Sequence, residues 1–250
     1  MNRTTRPFFA LFLFMCLASC DTRCLKFTGK TQSVNRELTS FNALSTDIQS
    51  PIRIIFYRDN NTTARLIGGK NVLQYVQARV ENQLLRVGID IPRCDHLTQR
   101  EITLEVPYQT LNSISHNGYD DILFRDTLQT TTFRVNLTDQ GDIVLPINAQ
   151  QLSLSIASTA NAEVSGSVES LQVTTSDDPF KRSLSFGIFR GKKLLAKNCT
   201  VLLQGEGDCE VQVSDTLNVD IRGVGNVIYY GDPKVILSNI TGAGKLIKGD

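Results

Sequence analysis

The feature that most limits how this chain can fold is a repeat near its C-terminal end. Leu217-Asn-Val-Asp-Ile-Arg-Gly-Val-Gly and Ile236-Leu-Ser-Asn-Ile-Thr-Gly-Ala-Gly share a register 19 residues apart, and each is a short alternating strand closing on Gly-x-Gly. Alternation of apolar and polar residues is the period of a strand with one buried side. So short a unit cannot bury that side alone and must stack on copies of itself. Earlier copies are legible upstream. Phe133-Arg-Val-Asn-Leu, Leu152-Ser-Leu-Ser-Ile and Leu171-Gln-Val-Thr-Thr begin 19 residues apart, Cys199-Thr-Val-Leu-Leu begins 18 before Leu217, and Leu111 to Gly118 is a looser first copy. Turn-forming residues follow the copies: Asp139 and Gly141, Thr159 and Ala160, Asp177 and Asp178, Gly205 and Gly207, Gly223 and Gly225, Gly242 and Gly244.

Nineteen residues at about 3.3 Å each trace roughly 60 Å of chain, one turn of a multi-sided parallel coil. The expectation is a mainly β fold. Residues 111–248 form a right-handed parallel β-helix-like coil of about 18–19-residue turns, with glycines at corners where φ is positive. A β-sandwich has short strands and turns too, but needs no fixed register over five or six copies. Residues 38–110 are strand-rich without the repeat, with strands at Ile52–Tyr57, from Leu84 and at Glu101–Pro107. One short helix is expected over Asn71–Val80, where Val72, Val76 and Val80 recur at i, i+4 and i+8.

The N-terminus carries an address. Arg3 and Arg6 precede the apolar run Phe8–Leu17, long enough for a signal peptide and too short to cross a bilayer. It ends in Leu17-Ala-Ser-Cys20, a match to the bacterial lipobox, which implies cleavage before Cys20 and a lipid on its sulfur. Residues 1–19 are then a lipoprotein signal peptide, 20–37 a polar tether, and 38–248 a single domain. Multiple acyl chains anchor firmly, at about 0.8 kcal/mol per buried methylene. Of 26 basic residues, 24 remain once Arg3 and Arg6 are removed, against 25 acidic ones. A near-neutral chain offers no electrostatic reason to bind nucleic acid.

Four cysteines remain after Cys16 and Cys20: Cys24, Cys94, Cys199 and Cys209. Cys199 and Cys209 flank one Gly-x-Gly corner and are the first pair to test for a disulfide, the alternative being small core-filling residues on adjacent strands. No Cys-x-x-Cys occurs and His96 and His116 lack ligand-spaced companions, so no metal is expected. Between the copies at Leu171 and Cys199 the spacing rises to 28, which places an insertion within 180–197. That segment is basic and aromatic: Phe180, Lys181, Arg182, Phe186, Phe189, Arg190, Lys192 and Lys193 form a candidate partner-contact loop, or a lateral loop packed on the coil. Thr127 and Thr216, each in Asp-Thr-Leu, are candidate O-glycosylation sites, although Asp-Thr before a strand is also good turn chemistry.

The run from Leu217 through Val227-Ile-Tyr-Tyr-Gly-Asp-Pro233, followed by Ile240-Thr-Gly-Ala-Gly-Lys-Leu-Ile, resembles the C-terminal end of the auto-transporter adhesin head GIN domain family of Bacteroidetes lipoproteins. The order of features upstream agrees, with Arg36, Leu38 and Phe41 at the entry and Glu105-Val-Pro opening the coil, so the resemblance spans about 34–248. Gly-Glu-Gly, Gly-Val-Gly and Gly-Ala-Gly stand where the family has Ser-Gly-Ser-Gly turns. The resemblance implies a non-catalytic, lipid-anchored envelope protein of the outer membrane, exposed at the surface or facing the periplasm. It would act as an adhesin or surface binding module for a glycan or protein, with no cofactor. The alternatives are a periplasm-facing structural or envelope-stress module, and a polysaccharide-active β-helix enzyme. The latter would need converging carboxylates. Asp139, Asp142, Asp177, Asp178 and Asp208 instead fall at corners, where Asp side chains commonly bond their own backbone.

Overall fold

The computed structural model describes residues 30–48, 52–90, 102–157, 159–176 and 186–250. The fold is mainly β. The N-terminal part contains β1 (Thr31–Glu37), β2 (Ala43–Ile48), β3 (Ile52–Arg58), β4 (Thr63–Gly69), α1 (Lys70–Leu73), β5 (Val76–Glu81), β6 (Leu84–Ile89) and β7 (Ile102–Tyr108). The repeats supply β8 (Ser113–Gly118), β9 (Asp121–Phe124), β10 (Leu128–Leu137), β11 (Ile143–Ile156), β12 (Asn161–Thr175), β13 (Ile188–Leu203), β14 (Cys209–Ile221), β15 (Val227–Tyr230), β16 (Lys234–Ile240) and β17 (Leu246–Lys248). All seventeen strands belong to one sheet.

Repeat strands pair parallel with the strand one repeat away, in the register read from the sequence. Phe133 lies beside Leu152, Leu152 beside Leu171, Leu171 beside Cys199 and Cys199 beside Leu217. A second buried column runs Val135, Leu154, Val173, Val201, Val219, and a third runs Leu137, Ile156, Thr175, Leu203, Ile221. Each side chain stacks on its equivalents above and below, and burying one is worth about 1.5–3 kcal/mol over leaving it exposed. Thr175 is the polar member of its column, and its hydroxyl oxygen accepts from the N–H groups of Gln204 and Gly205 at 3.3 and 3.4 Å. The last copy departs from strict spacing. Leu217 pairs with Val235, and a bulge at Ile236 restores the 19-residue offset from Asn218 onward.

Chain order and spatial order part company at the N-terminal end. β2 pairs parallel with both β6 and β8, and β3 with both β7 and β9. The layer β2–β3 therefore lies between β6–β7 and β8–β9, both of which follow it in the chain. Antiparallel strands finish this end: β5 on β6, β4 on β7 and β1 on β4. The helix expected over Asn71–Val80 shrinks to the single turn Lys70–Leu73, which buries Val72 and Leu73, and residues 76–81 form a strand. Spacing of four is a multiple of the strand period as well as one helical turn. Val76, Ala78 and Val80 face the core together as alternate strand residues.

The corners also correct two expectations. Among the described glycines, positive φ occurs at Gly118, Gly166 and Gly231, and not in the Gly-x-Gly pairs. Those pairs are there for close approach. A Cβ on Gly225 would meet the carbonyl oxygen of Gly207 at 2.2 Å, and one on Gly244 would meet that of Gly225 at 1.9 Å. Two of the corner aspartates, Asp142 and Asp208, reach the next repeat. Oδ1 of Asp142 accepts from the backbone N–H of Asn161 at 2.8 Å, and Oδ1 of Asp208 from that of Asn226 at 2.7 Å. Asp177 and Asp178 lie outside the described residues.

Candidate binding surface

On alternate strand positions the side chains that do not enter the core form rows across the sheet. Gln172, Thr200, Asn218 and Leu237 occupy one row, and Thr174, Leu202, Asp220 and Asn239 the next. Between them lies an open groove of about 280 Å³ that Arg222 also lines. Asp220 accepts from Arg222 Nε and Nη2 at 3.1 and 2.6 Å and from Asn239 Nδ2 at 3.2 Å. The Arg222 hydrogen bonds hold the Asp220 carboxyl below its ordinary pKa. The groove thus offers hydroxyls, amides and an ionised carboxylate in strand-spaced rows on a rigid sheet, a surface suited to a polar, extended ligand. At the other end of the molecule, Asp47, Arg79, Glu81 and Arg86 line a second opening of about 250 Å³.

The segment singled out for its basic and aromatic content divides. Phe180, Lys181 and Arg182 lie outside the described residues. Phe186 is 50% exposed, whereas Phe189 is wholly buried and belongs to the core. Arg190, Lys192 and Lys193 stand on strand β13 and not in a loop. Their charges meet neighbouring repeats. Arg190 is in register with Glu163 and Glu210, Lys193 Nζ lies 3.1 Å from Glu163, and Lys192 Nζ sits 4.1 Å from the Tyr230 ring centroid as a cation–π contact. Among the described residues of this segment, Phe186 is the aromatic side chain left projecting.

Cys199 and Cys209 are free, buried thiols on adjacent strands. Cys199 fills the column between Leu171 and Leu217, and Cys209 lies between Phe189 and Val227. Burial pushes the Cys199 thiol up to about 12 and that of Cys209 well above the ordinary range. Thr127 is exposed just before β10, and Asp126 beside it accepts from the Arg58 N–H at 2.8 Å. Thr216 is half-buried, and its hydroxyl donates to Asn198 Oδ1 at 2.5 Å. Cys20 lies outside the described residues.

Two charged clusters are structural. Glu105 accepts from Arg65 at 2.7 Å and from Arg125; burial works against its ionisation, but the two guanidinium groups prevail and hold its pKa down. His116 and Asp120 are sealed in the core, with Nε2 of His116 2.8 Å from the Asp120 backbone oxygen and 3.0 Å from its Oδ1. Among the described residues, no three His, Cys, Asp or Glu side chains gather as a metal site.

The groove escaped notice in the sequence because outward strand positions look like any solvated face. The available signal was the recurrence of amide and hydroxyl residues at one register: Gln172, Thr200, Asn218.

Several solved structures share this fold. A "putative adhesin" from Bacteroides fragilis superposes with a TM-score of 0.80 at 19% identity, covering 90% of this chain and all of that one. A "putative adhesin" from Parabacteroides merdae gives 0.69 at 19% identity over 90% of this chain and 99% of that one. A "putative lipid binding protein" from Parabacteroides distasonis gives 0.65 at 15% identity over 91% and 100%. No curated protein matches the chain. The family model described as "Putative auto-transporter adhesin, head GIN domain" matches residues 40–233, most of the chain, and the protein belongs to that family.

Proposed function

We propose that this protein is a lipid-anchored, non-catalytic binding module of the cell envelope, held to the outer membrane through Cys20. Its residues 38–248 form one domain wound as a right-handed parallel β-helix-like coil that presents an adhesive face. The observation that carries this reading is the groove across β12, β13, β14 and β16, where polar side chains repeat at strand spacing. A glycan or extended peptide could bond several rungs at once without reorganising the sheet, which limits the entropic cost of binding. Membership of an adhesin family supports the same reading.

The test is a binding screen of the mature chain against glycans and matrix proteins, repeated with Thr200→Glu and Asn218→Glu. Bound ligand should fall at least tenfold in either variant; ligands retained by both would remove the groove from the proposal. Palmitate labelling lost on Cys20→Ala reports the anchor. External protease on intact cells reports exposure, and full protection would favour a structural module facing the periplasm.

A further inference from the structure

The two ends of the strand stack are finished differently. At the end bearing β1 and β5, the outermost strands run antiparallel to their neighbours and α1 lays Val72 and Leu73 against the core. Those edges carry charge, Arg36 and Glu37 on β1 and Arg79 and Glu81 on β5, which is how sheet edges are commonly protected from further pairing. Among the described residues the end formed by β16 and β17 has no antiparallel strand or helix over it, and its strands carry charge only at their ends, Lys234 and Lys248. Its inward columns stop in the open: Val235, over Leu217, is 38% exposed and Ile240, over Ile221, is 44% exposed. Ile236, Leu237 and Ile247 are 60, 53 and 41% exposed beside them. Among the described strands β16 pairs with β14 alone and β17 with β15 alone, which leaves a free edge of backbone N–H and C=O groups. Stacked repeats usually end in a polar cap. This one ends in exposed Val235 and Ile240, with Ser238 closing the column between them.

We propose that this edge pairs with the same edge of a second copy, giving a closed, two-fold, end-to-end dimer. Three features favour a second copy over another occupant. Its cross-section matches, offering a free strand at both the β16 and β17 positions together with the exposed Val235 and Ile240 to cover. The opposite end is closed by charged antiparallel strands, so head-to-tail growth is blocked and the isologous contact remains. Charge also fits. β16 carries one charge, Lys234, at its first position. Antiparallel pairing centred on Leu237 sets Lys234 of each copy against Ile240 of the other, and Ile236 against Ser238, so no like charges meet. Lys248 is already neutralised by Asp232 at 2.6 Å. Because β1, the first described strand, lies at the closed end, the tethers of such a pair leave from opposite ends. Resting on the proposed anchor at Cys20, the dimer joins two facing surfaces, so the partner is a copy on an opposing membrane.

The experiment uses the mature chain carrying Cys20→Ser, with its mass followed by light scattering. The wild-type edge should give a concentration-dependent dimer. Ile236→Lys with Leu237→Lys should give a monomer with unchanged circular dichroism. Leu237→Cys should cross-link between copies under mild oxidation, since residues directly opposite on antiparallel strands bring their Cβ atoms to about 4.5–5.5 Å, while Thr127→Cys should not. Beads displaying the chain by its N-terminal end should clump, and clumping should vanish in the lysine variant. A monomer at all concentrations, a dimer that survives both lysines, or absence of the Leu237→Cys cross-link would each overturn the pairing; the cross-link decides should the lysine variant misfold. Binding of an unrelated peptide strand by a monomeric chain would also overturn it. Dispersed beads with a soluble dimer would overturn the facing-surface geometry, and none of these readouts depends on lipidation of Cys20.

Discussion

Oδ1 of Asp208 accepts hydrogen bonds from both the backbone N–H and the side-chain Nδ2 of Asn226, at 2.7 and 3.1 Å. Asn226 then passes the contact on, its Oδ1 accepting from the Lys245 N–H at 3.1 Å. Asp142 and Asn161 repeat the arrangement at 2.8 and 3.0 Å. Asx contacts thus tie the repeat of Asp142 to that of Asn161 and run from Asp208 through Asn226 to Lys245, with Ile188 at the equivalent position between the two sets.

Asp208→Ala should lower stability by about 1–3 kcal/mol, because it strands a partly buried N–H that had a charged acceptor. Asp208→Asn should retain most of it. Urea midpoints at constant slope decide; equal losses in the two variants would mean that the ladder contributes no more than local packing.

Gly225→Ala tests close approach at the glycine corners. The added methyl would sit 2.2 Å from the Gly207 carbonyl oxygen, so backbone must move and the loss should be at least about 1–3 kcal/mol. Gly88→Ala, with nothing within 4 Å of the new Cβ, should be far milder. Thermal melts of the two variants make the comparison.

The buried His116 should make stability depend on pH. Burial opposes its protonation, but the hydrogen bond and charge of Asp120, with Asp139 adding to them, outweigh burial and raise its pKa. The folded chain then holds this proton more tightly than the unfolded one. Its stabilisation is complete below the unfolded value of about 6.5 and fades as pH rises through the folded pKa. Urea midpoints should therefore fall as pH is raised above about 6.5. In His116→Leu that slope should disappear, and Asp120, left without its counter-charge, should cost about 3–5 kcal/mol.

Neither Cys199 nor Cys209 should react with a thiol reagent in the native state, since both are buried and hardly ionised. In denaturant without reductant both should label. Protection that persists in denaturant and yields only to reductant would show a disulfide instead.

The repeat was legible in the sequence, as were its register and inward residues up to the last copy, where Val235 in place of Ile236 stands over Leu217, and family membership through Val227, Tyr229, Gly231 and Pro233. Apolar residues at alternate positions have one way to be buried together, and equal spacing leaves one register for stacking them. The order of layers was not legible. Nothing local in Ala43–Ile48 says that it will pair with both Leu84–Ile89 and Ser113–Gly118, because that choice is made by contacts distant along the chain. Val72, Val76 and Val80 misled because a spacing of four suits helix and strand alike. The basic and aromatic run around Phe189 suits a contact loop or one packed on the repeats, and register decides between them for this residue: it stands over Ala162 and under Cys209, in the core.

What the sequence by itself determined, then, is periodicity: which side chains point inward, and where repeats must turn. Tertiary structure decided what periodicity leaves open. It set which layers touch, why the corner glycines are glycine, that Lys193 of β13 meets Glu163, and that Val235 and Ile240 end their columns exposed. Those outcomes depend on what lies one layer above or below, and a residue does not encode its neighbour across the sheet.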